Sequence, residues 1–311
     1  MTTPASCKKR NPARKATLAA LPFLLPGFLL FLAFILVPLF FNLRLSVSDY
    51  RIADGTLRFV GFENYRSMLT DQSGRFWYAY RNNLLYALVT TPCILLFGMV
   101  SAVLVNAVNR GKVFFRTVFY LPVITSWVIV GLVFLYLFNA NRYGLVNHLL
   151  VDVFHVMPKY VSWLQKEWSG NFVIWVMGIW KNIGWCMLIY LAALQGIPGE
   201  LYEAASIEGA GAFHKYVHIT IPLLRPTTFF LVVNLIIGSF NVFIQVLLLT
   251  NGGPNGRTSV LQYLLYDRSF NLFRFGEGAA IGVVTGLTVY LLTVLLQRLT
   301  REDRQEGDSR G

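Results

Sequence analysis

The sequence predicts an all-α, polytopic membrane protein of six transmembrane helices, with a long ordered cytoplasmic loop between the fourth and the fifth. Three observations predict it. Hydrophobic residues make up 55% of the 311 and charged residues only 14%, where an ordinary soluble domain is about one quarter charged. The mean hydropathy is +0.54, so the chain lacks the polar residues to cover a water-facing surface, and lipid is the better solvent. The apolar residues also cluster into stretches long enough to cross a hydrocarbon core, which takes roughly 20 residues of helix.

The six stretches are 18–41, 83–108, 118–138, 172–195, 227–249 and 279–296. They form one membrane domain over 18–299, with a cytoplasmic segment 1–17 before it and a cytoplasmic tail 300–311 after it, polar and mobile over 302–311. Lys181 is the only Lys, Arg, Asp or Glu within them. The first stretch follows Lys8, Lys9, Arg10, Arg14 and Lys15, as a signal peptide's apolar core would. It is too long for such a core and no small-x-small cleavage site follows Phe41, so it reads as a retained helix. Pro22, Pro26, Pro38, Pro92 and Pro122 mark kinks that neighbouring helices can tolerate. Gly278, Gly282 and Gly286 recur every four residues, a stripe that lets helices pack closely. A short helix is expected around Phe62–Leu69, and helical periodicity runs through parts of 139–170.

The formal charge of +12 does not point to nucleic acid, because the basic residues flank the spans and form no stripe with stacking aromatics. Counted by side, Lys plus Arg number 14 with the termini and 12 opposite. The weak total bias is decided by placement. The amino-terminal cluster contains no acid, and Arg110, Lys112 and Arg116 sit against span ends. Both termini are therefore expected in the cytoplasm. Cys7, Cys93 and Cys186 have neither metal-ligand spacing nor a disulfide framework.

The loop 196–226 is far longer than the roughly 2–8 residues that join helices, and it carries its own folding signals. Gly196 can end the fourth span and Pro198 can open a new helix. Leu201–Ala205 favours helix apart from Tyr202. Gly209 and Gly211 permit a bend, and Phe213, Tyr216, Val217 and Ile219 then recur at helical spacing before Pro222 and Pro226. Two short amphipathic helices should protrude, with aromatics that call for a covering partner.

At these residues the sequence resembles a family. Glu203-Ala204-Ala205, then Gly209, then Ile219 and Ile221-Pro222 resemble the EAA loop of binding-protein-dependent ABC importers, with matching spacing throughout. Ile221 stands for the usual Leu, and Glu208 for a frequent Asp. The resemblance implies a coupling helix that seats in an ATPase subunit, with Glu203, Ala204, Ala205, Gly209, Ala210 and Phe213 as the coupling positions. A second resemblance narrows the branch. Thr250-Asn251-Gly252-Gly253-Pro254, with Thr258, Tyr263 and Phe270, is similar to maltose-type sugar permeases of the first-permease type, as are Trp180, Gly184, Met187, Leu194 and Pro198. The implied partners are a second permease, two ATP-binding subunits, an extracellular solute-binding protein and membrane lipid. ATP and Mg would be bound by the partner ATPase. In agreement, Gly111-Lys112 runs into Val113 and lacks the first glycine of a P-loop.

A solute path should be lined by polar or aromatic residues facing the bundle interior. Asn234, Gly238, Asn241 and Gln245 are offset by 0, 4, 7 and 11, which is one helical face. Amides suit sugar hydroxyls because they both donate and accept. Trp180, Asn182 and Trp185 supply aromatic faces and an amide on the fourth span, and the resemblance implies solute contacts from both spans. Trp180, Asn182, Trp185, Asn241 and Gln245 are the candidate path residues. Lys181 beside them has no acid in the spans to neutralise it, and is expected to face a partner or an aqueous cavity. The solute would be a mono-, di- or oligosaccharide, or glycerol phosphate. The alternative is an ion-coupled secondary transporter, which typically carries acids inside its spans; this chain has none. An intramembrane enzyme is disfavoured because His148, His155, His214 and His218 all fall in loops.

Overall fold

The computed structural model describes residues 23–51, 55–108 and 110–308. The segment 1–17 with Cys7, the Leu18–Pro22 start of the first expected span and residues 309–311 lie outside the described residues.

Helix α1, Phe23–Ser46, is the most apolar of the long helices, and none of its most apolar window is buried within the chain. It widens into a π turn at Leu32–Leu36, just before Pro38. Proline lacks an N–H, and its ring collides with the carbonyl four residues back; here that residue is Phe34, inside the widened turn. A hairpin unforeseen in the sequence follows: β1, Ser48–Arg51, pairs antiparallel with β2, Thr56–Phe59, with Ser48 opposite Phe59. Helix α2, Glu63–Thr70, matches the short helix expected there. Asn64 secures the hairpin base by donating from Nδ2 to the carbonyls of Ser46 and Ser48, both at 2.9 Å.

The centre of the bundle is the pair α3, Arg75–Ala107, and α6, Glu167–Gln195. Small residues set their approach. A Cβ added at Gly98 would lie 2.6 Å from Cys186 Sγ, and one at Gly178 would overlap the Tyr86 hydroxyl. Ile94, Met187, Tyr190 and Leu191 fill one part of this seam, and Tyr86, Ile174 and Met177 another.

Between these two helices, the expected single span 118–138 is two helices, α4, Lys112–Ile124, and α5, Trp127–Leu137, bent by 93°. Thr125 Oγ1 donates back to the Leu121 carbonyl at 2.8 Å, a bond that competes with helix propagation. Ser126 then caps α5, its Oγ accepting from the Val128 N–H at 3.3 Å.

The long loop folds as α7, Gly199–Ile207, and α8, Ala212–Leu223. A π turn, Tyr216–Thr220, precedes Pro222, as the one in α1 precedes Pro38. Helix α8 meets α9, Arg225–Ser239, at 63°. The expected continuous span 227–249 is also corrected. It breaks after Ser239 and resumes as α10, Ile244–Leu249. Helix α11, Leu261–Tyr266, continues as a π turn, Asp267–Asn271, and α12 runs from Phe275 to Asp308. That extent takes helix well into the tail expected to be mobile. Among the described residues four helices are long and apolar enough to cross a membrane, or up to six if each bent pair is one span.

The glycine stripe of α12 has two uses. A Cβ at Gly278 would overlap Ser269 Oγ and one at Gly282 would lie 3.3 Å from Leu265 Cδ1, both close approaches, whereas Gly286 has open space beside it and lines a cleft.

Between α2 and α3, Asp71 accepts from Arg268 Nη2 at 2.6 Å and from the Ser73 hydroxyl at 2.7 Å. Burial alone would raise its pKa, but the Ser73 bonds and the Arg268 guanidinium outweigh it and hold the carboxyl below its ordinary value. A lowered folded pKa stabilises above the unfolded value and is lost as pH falls through the folded one. Asp71→Asn should therefore flatten the acid limb of the melting temperature below about pH 4, with an unchanged limb counting against this tie.

Candidate functional site

The EAA spacing has a backbone explanation in α7. Glu208 ends the helix, and Gly209 follows at φ +81°. The Ala210 N–H donates to the Ala205 carbonyl at 2.8 Å, and the Gly209 N–H to the Ser206 carbonyl at 3.1 Å. These are the paired bonds of a Schellman cap, in which the residue after the helix is left-handed and best served by glycine. Glu203 and Ala204 are exposed, Ala205 and Ala210 half-buried. The two loop helices are joined by Tyr202 and Thr220, whose hydroxyls lie 2.9 Å apart, and by Lys215 Nζ, which donates to Ser206 Oγ at 2.6 Å. Ile207 at 89% and Phe213 at 80% exposure stand free of the chain's own packing. The His214 and His218 rings stack at 3.9 Å, and no metal-binding group of three occurs among the described residues.

The candidate path residues are not gathered on one surface. Trp180 is exposed and packs its ring against Phe134 of α5 at 5.9 Å. Asn182 lies about 200° further round α6 and donates to its own helix at the Gly178 carbonyl, 2.8 Å away. Trp185 is half-buried and packs against the core formed by α3, α6 and α9. The single face expected for Asn234, Gly238, Asn241 and Gln245 is corrected, because the break after Ser239 interrupts the helical phase. Gln245 is buried and accepts from the Phe243 N–H at 3.2 Å, holding the restart of the helix. Asn241 is exposed at the break and lines a cleft of about 280 Å³ with Gln262, Thr285, Gly286, Ile237 and Phe240. Gln262 and Thr285 escaped the sequence analysis, which placed no solute contacts on the fifth loop or the sixth span. Lys181 is buried within the chain itself. Its ammonium donates to the carbonyls of Pro122, Val123 and Thr125.

The Thr250–Pro254 segment is a side-chain knot. Thr258 Oγ1 lies 2.6 Å from Gly253 O and 2.8 Å from Thr250 Oγ1, and Tyr263 OH donates to Asn251 O at 2.8 Å. Two neighbouring amides of α3 bind it. Asn82 Nδ2 donates to the carbonyls of Arg257 and Ser259 at 2.7 and 2.8 Å. Asn83 accepts from the Leu261 N–H at 2.7 Å and donates to the Ser239 carbonyl at 2.8 Å. Glu167 completes the junction, paired with Arg81 and Arg257.

A bundle of apolar helices with a helical elbow between two of them has the build of a membrane transport subunit. Residues 94–302 match the family described as the binding-protein-dependent transport system inner membrane component. The chain is 32% identical to the probable ABC transporter permease protein YurN of Bacillus subtilis (strain 168), covering 91% of this chain and 96% of that protein. It is 32% identical to the arabinooligosaccharides transport system permease protein AraP of Halalkalibacterium halodurans, over 86% and 84% of the two chains. It is 33% identical to the sn-glycerol-3-phosphate transport system permease protein UgpA of Escherichia coli O157:H7, over 76% and 79%. The fold is that of a chain in the crystal structure of a bacterial ABC transporter involved in the import of alginate, with a TM-score of 0.77 at 24% identity, covering 93% of this chain and 96% of that one. The chain belongs to the family of inner membrane components of binding-protein-dependent transport systems, and is an ABC importer permease.

Proposed function

We propose that this permease translocates a sugar or sugar-like solute, in the range from mono- to oligosaccharide and including glycerol phosphate, using ATP hydrolysed by separate subunits. Relatives named for arabinooligosaccharides and for glycerol phosphate support this solute class. The observation that carries the coupling role is the EAA elbow, where capped α7 turns into α8 and leaves Ile207 and Phe213 exposed for a partner. In this reading α4 with α5 forms one span and α9 with α10 another, giving six, and both termini lie with the elbow in the cytoplasm. A second permease completes the pathway, two ATP-binding subunits hold ATP and Mg and grip one elbow each, and an extracellular binding protein delivers cargo to the opposite face. The cleft lined by Asn241, Gln262 and Thr285 offers amide and hydroxyl groups beside apolar walls, as a sugar requires.

Co-purification from native membranes through a tag on the carboxyl-terminal tail tests the assembly. A second permease and a Walker-containing ATPase should be recovered with the chain. Recovery of the chain alone, under conditions that preserve a control importer, would move the reading to an ion-coupled transporter. Phe213→Ala should cut the recovered ATPase about tenfold, the effect of losing an aromatic anchor worth roughly 1.4 kcal/mol or more. Undiminished recovery would remove Phe213 from the contact.

A further inference from the structure

Lys181 is the one charged residue within the spans expected from sequence, and the transport role proposed above makes no use of it. It is only 4% exposed. Its Nζ lies 2.7 Å from the Pro122 carbonyl, 3.1 Å from that of Val123 and 2.5 Å from that of Thr125. It also sits 4.8 Å from the centre of the Trp127 ring.

These contacts all fall on the bend between α4 and α5. The last four carbonyls of a helix have no partner within it, and together they form the negative end of the helix dipole. In α4 they are Leu121, Pro122, Val123 and Ile124. The Thr125 hydroxyl takes Leu121, and Lys181 takes Pro122 and Val123. The third ammonium hydrogen goes to the carbonyl of Thr125, in the corner itself, which uses all three donors the group has. Trp127, the first residue of α5, turns its ring face to the same cation. One side chain of α6 thus touches the end of α4, the corner and the start of α5. Two neighbours on α6 extend the grip. Gly184 lets the helix meet the Phe119 carbonyl of α4, where a Cβ would overlap it, and Trp180 packs on Phe134 of α5.

We infer that Lys181 is a positioning residue, a fixed cation that closes the end of α4 and locks the 93° elbow onto α6 so that the three helices move as one body. Carbonyl dipoles and a ring face stand in for a carboxylate. With its hydrogens committed, the ammonium is neither a solute contact nor a carrier of exchangeable charge.

The elbow angle can be read without knowing the solute. Spin labels at Phe114 and Tyr136, both exposed and near the far ends of α4 and α5, would be introduced after replacing the natural cysteines. The full chain would be measured within its purified assembly in lipid nanodiscs. Complete straightening would lengthen the separation by about 10 Å from the helical rise. In Lys181→Met and Lys181→Gln the distance should lengthen or broaden by at least about 3 Å, a detectable part of that range, and Lys181→Arg should restore it. The parent distance in Lys181→Met would overturn the inference. So would the parent distance in Lys181→Gln, since glutamine keeps two donors without the charge; that variant decides the matter if the methionine form does not assemble.

Discussion

Gly209→Val is expected to lower solute uptake at least tenfold while the permease still reaches the membrane. Gly209 sits at φ +81° with open space around it, so the cost of a side chain is conformational and not steric crowding. Left-handed backbone costs an ordinary residue about 1–2 kcal/mol, and a β-branched residue tolerates it least. Escaping the strain means giving up the N–H bonds of Gly209 and Ala210 to Ser206 and Ala205, which unwinds the end of α7 and re-aims Phe213. Because this lesion lies outside the membrane helices, thermal stability should change little. The order of uptake should be Gly, then Asn, which tolerates left-handed backbone, then Ala, then Val. ATP hydrolysis by the purified assembly, measured beside uptake, should persist in Glu203→Ala and Gly209→Val without driving transport. Normal uptake in both would show that the elbow does not transmit the work of ATP.

The second large effect is expected at Asn83, which has no exposed surface. Its amide bridges two interruptions of the helical backbone, accepting from the first N–H of α11 and donating to the last carbonyl of α9. Asn83→Ala leaves both groups buried and unpaired at about 1–3 kcal/mol each. A fall in melting temperature of several degrees should follow, with proteolytic sensitivity rising in the 240–260 region. Asn83→Asp keeps the acceptor, loses the donor and adds a charge, so it should be no better. A wild-type melting curve for Asn83→Ala would mean that the two ends find other partners.

The sequence-legible features were those with a local cause. The elbow could be anticipated residue by residue because Pro198 and Gly209 act on their own neighbours. The broken helices were harder. Phe240-Asn241-Val242-Phe243 contains neither glycine nor proline, and Phe240 and Val242 are buried like their helical neighbours, so an apolar run looked continuous. What sustains the break is Asn83, more than 150 positions away in the chain. The same holds for Lys181, whose partners are backbone carbonyls that any sequence would supply. The cleft at Asn241 depends on that break and on Gln262 and Thr285 arriving from two later elements. Of its polar lining, only the amide of Asn241 carried a sequence signal.

The isolation of α1 bears on the order of synthesis. The principal helical neighbour of α1 is α12, which is made long after it. While the intervening chain is made and packed, α1 must therefore wait for that neighbour with its most apolar stretch uncovered by its own chain. A helix that waits cannot carry groups needing protein partners. From Phe23 to Phe41 it has no polar side chain, whereas the later helices, inserted beside existing neighbours, hold asparagines, threonines and a lysine. Its plainness is the condition for arriving early.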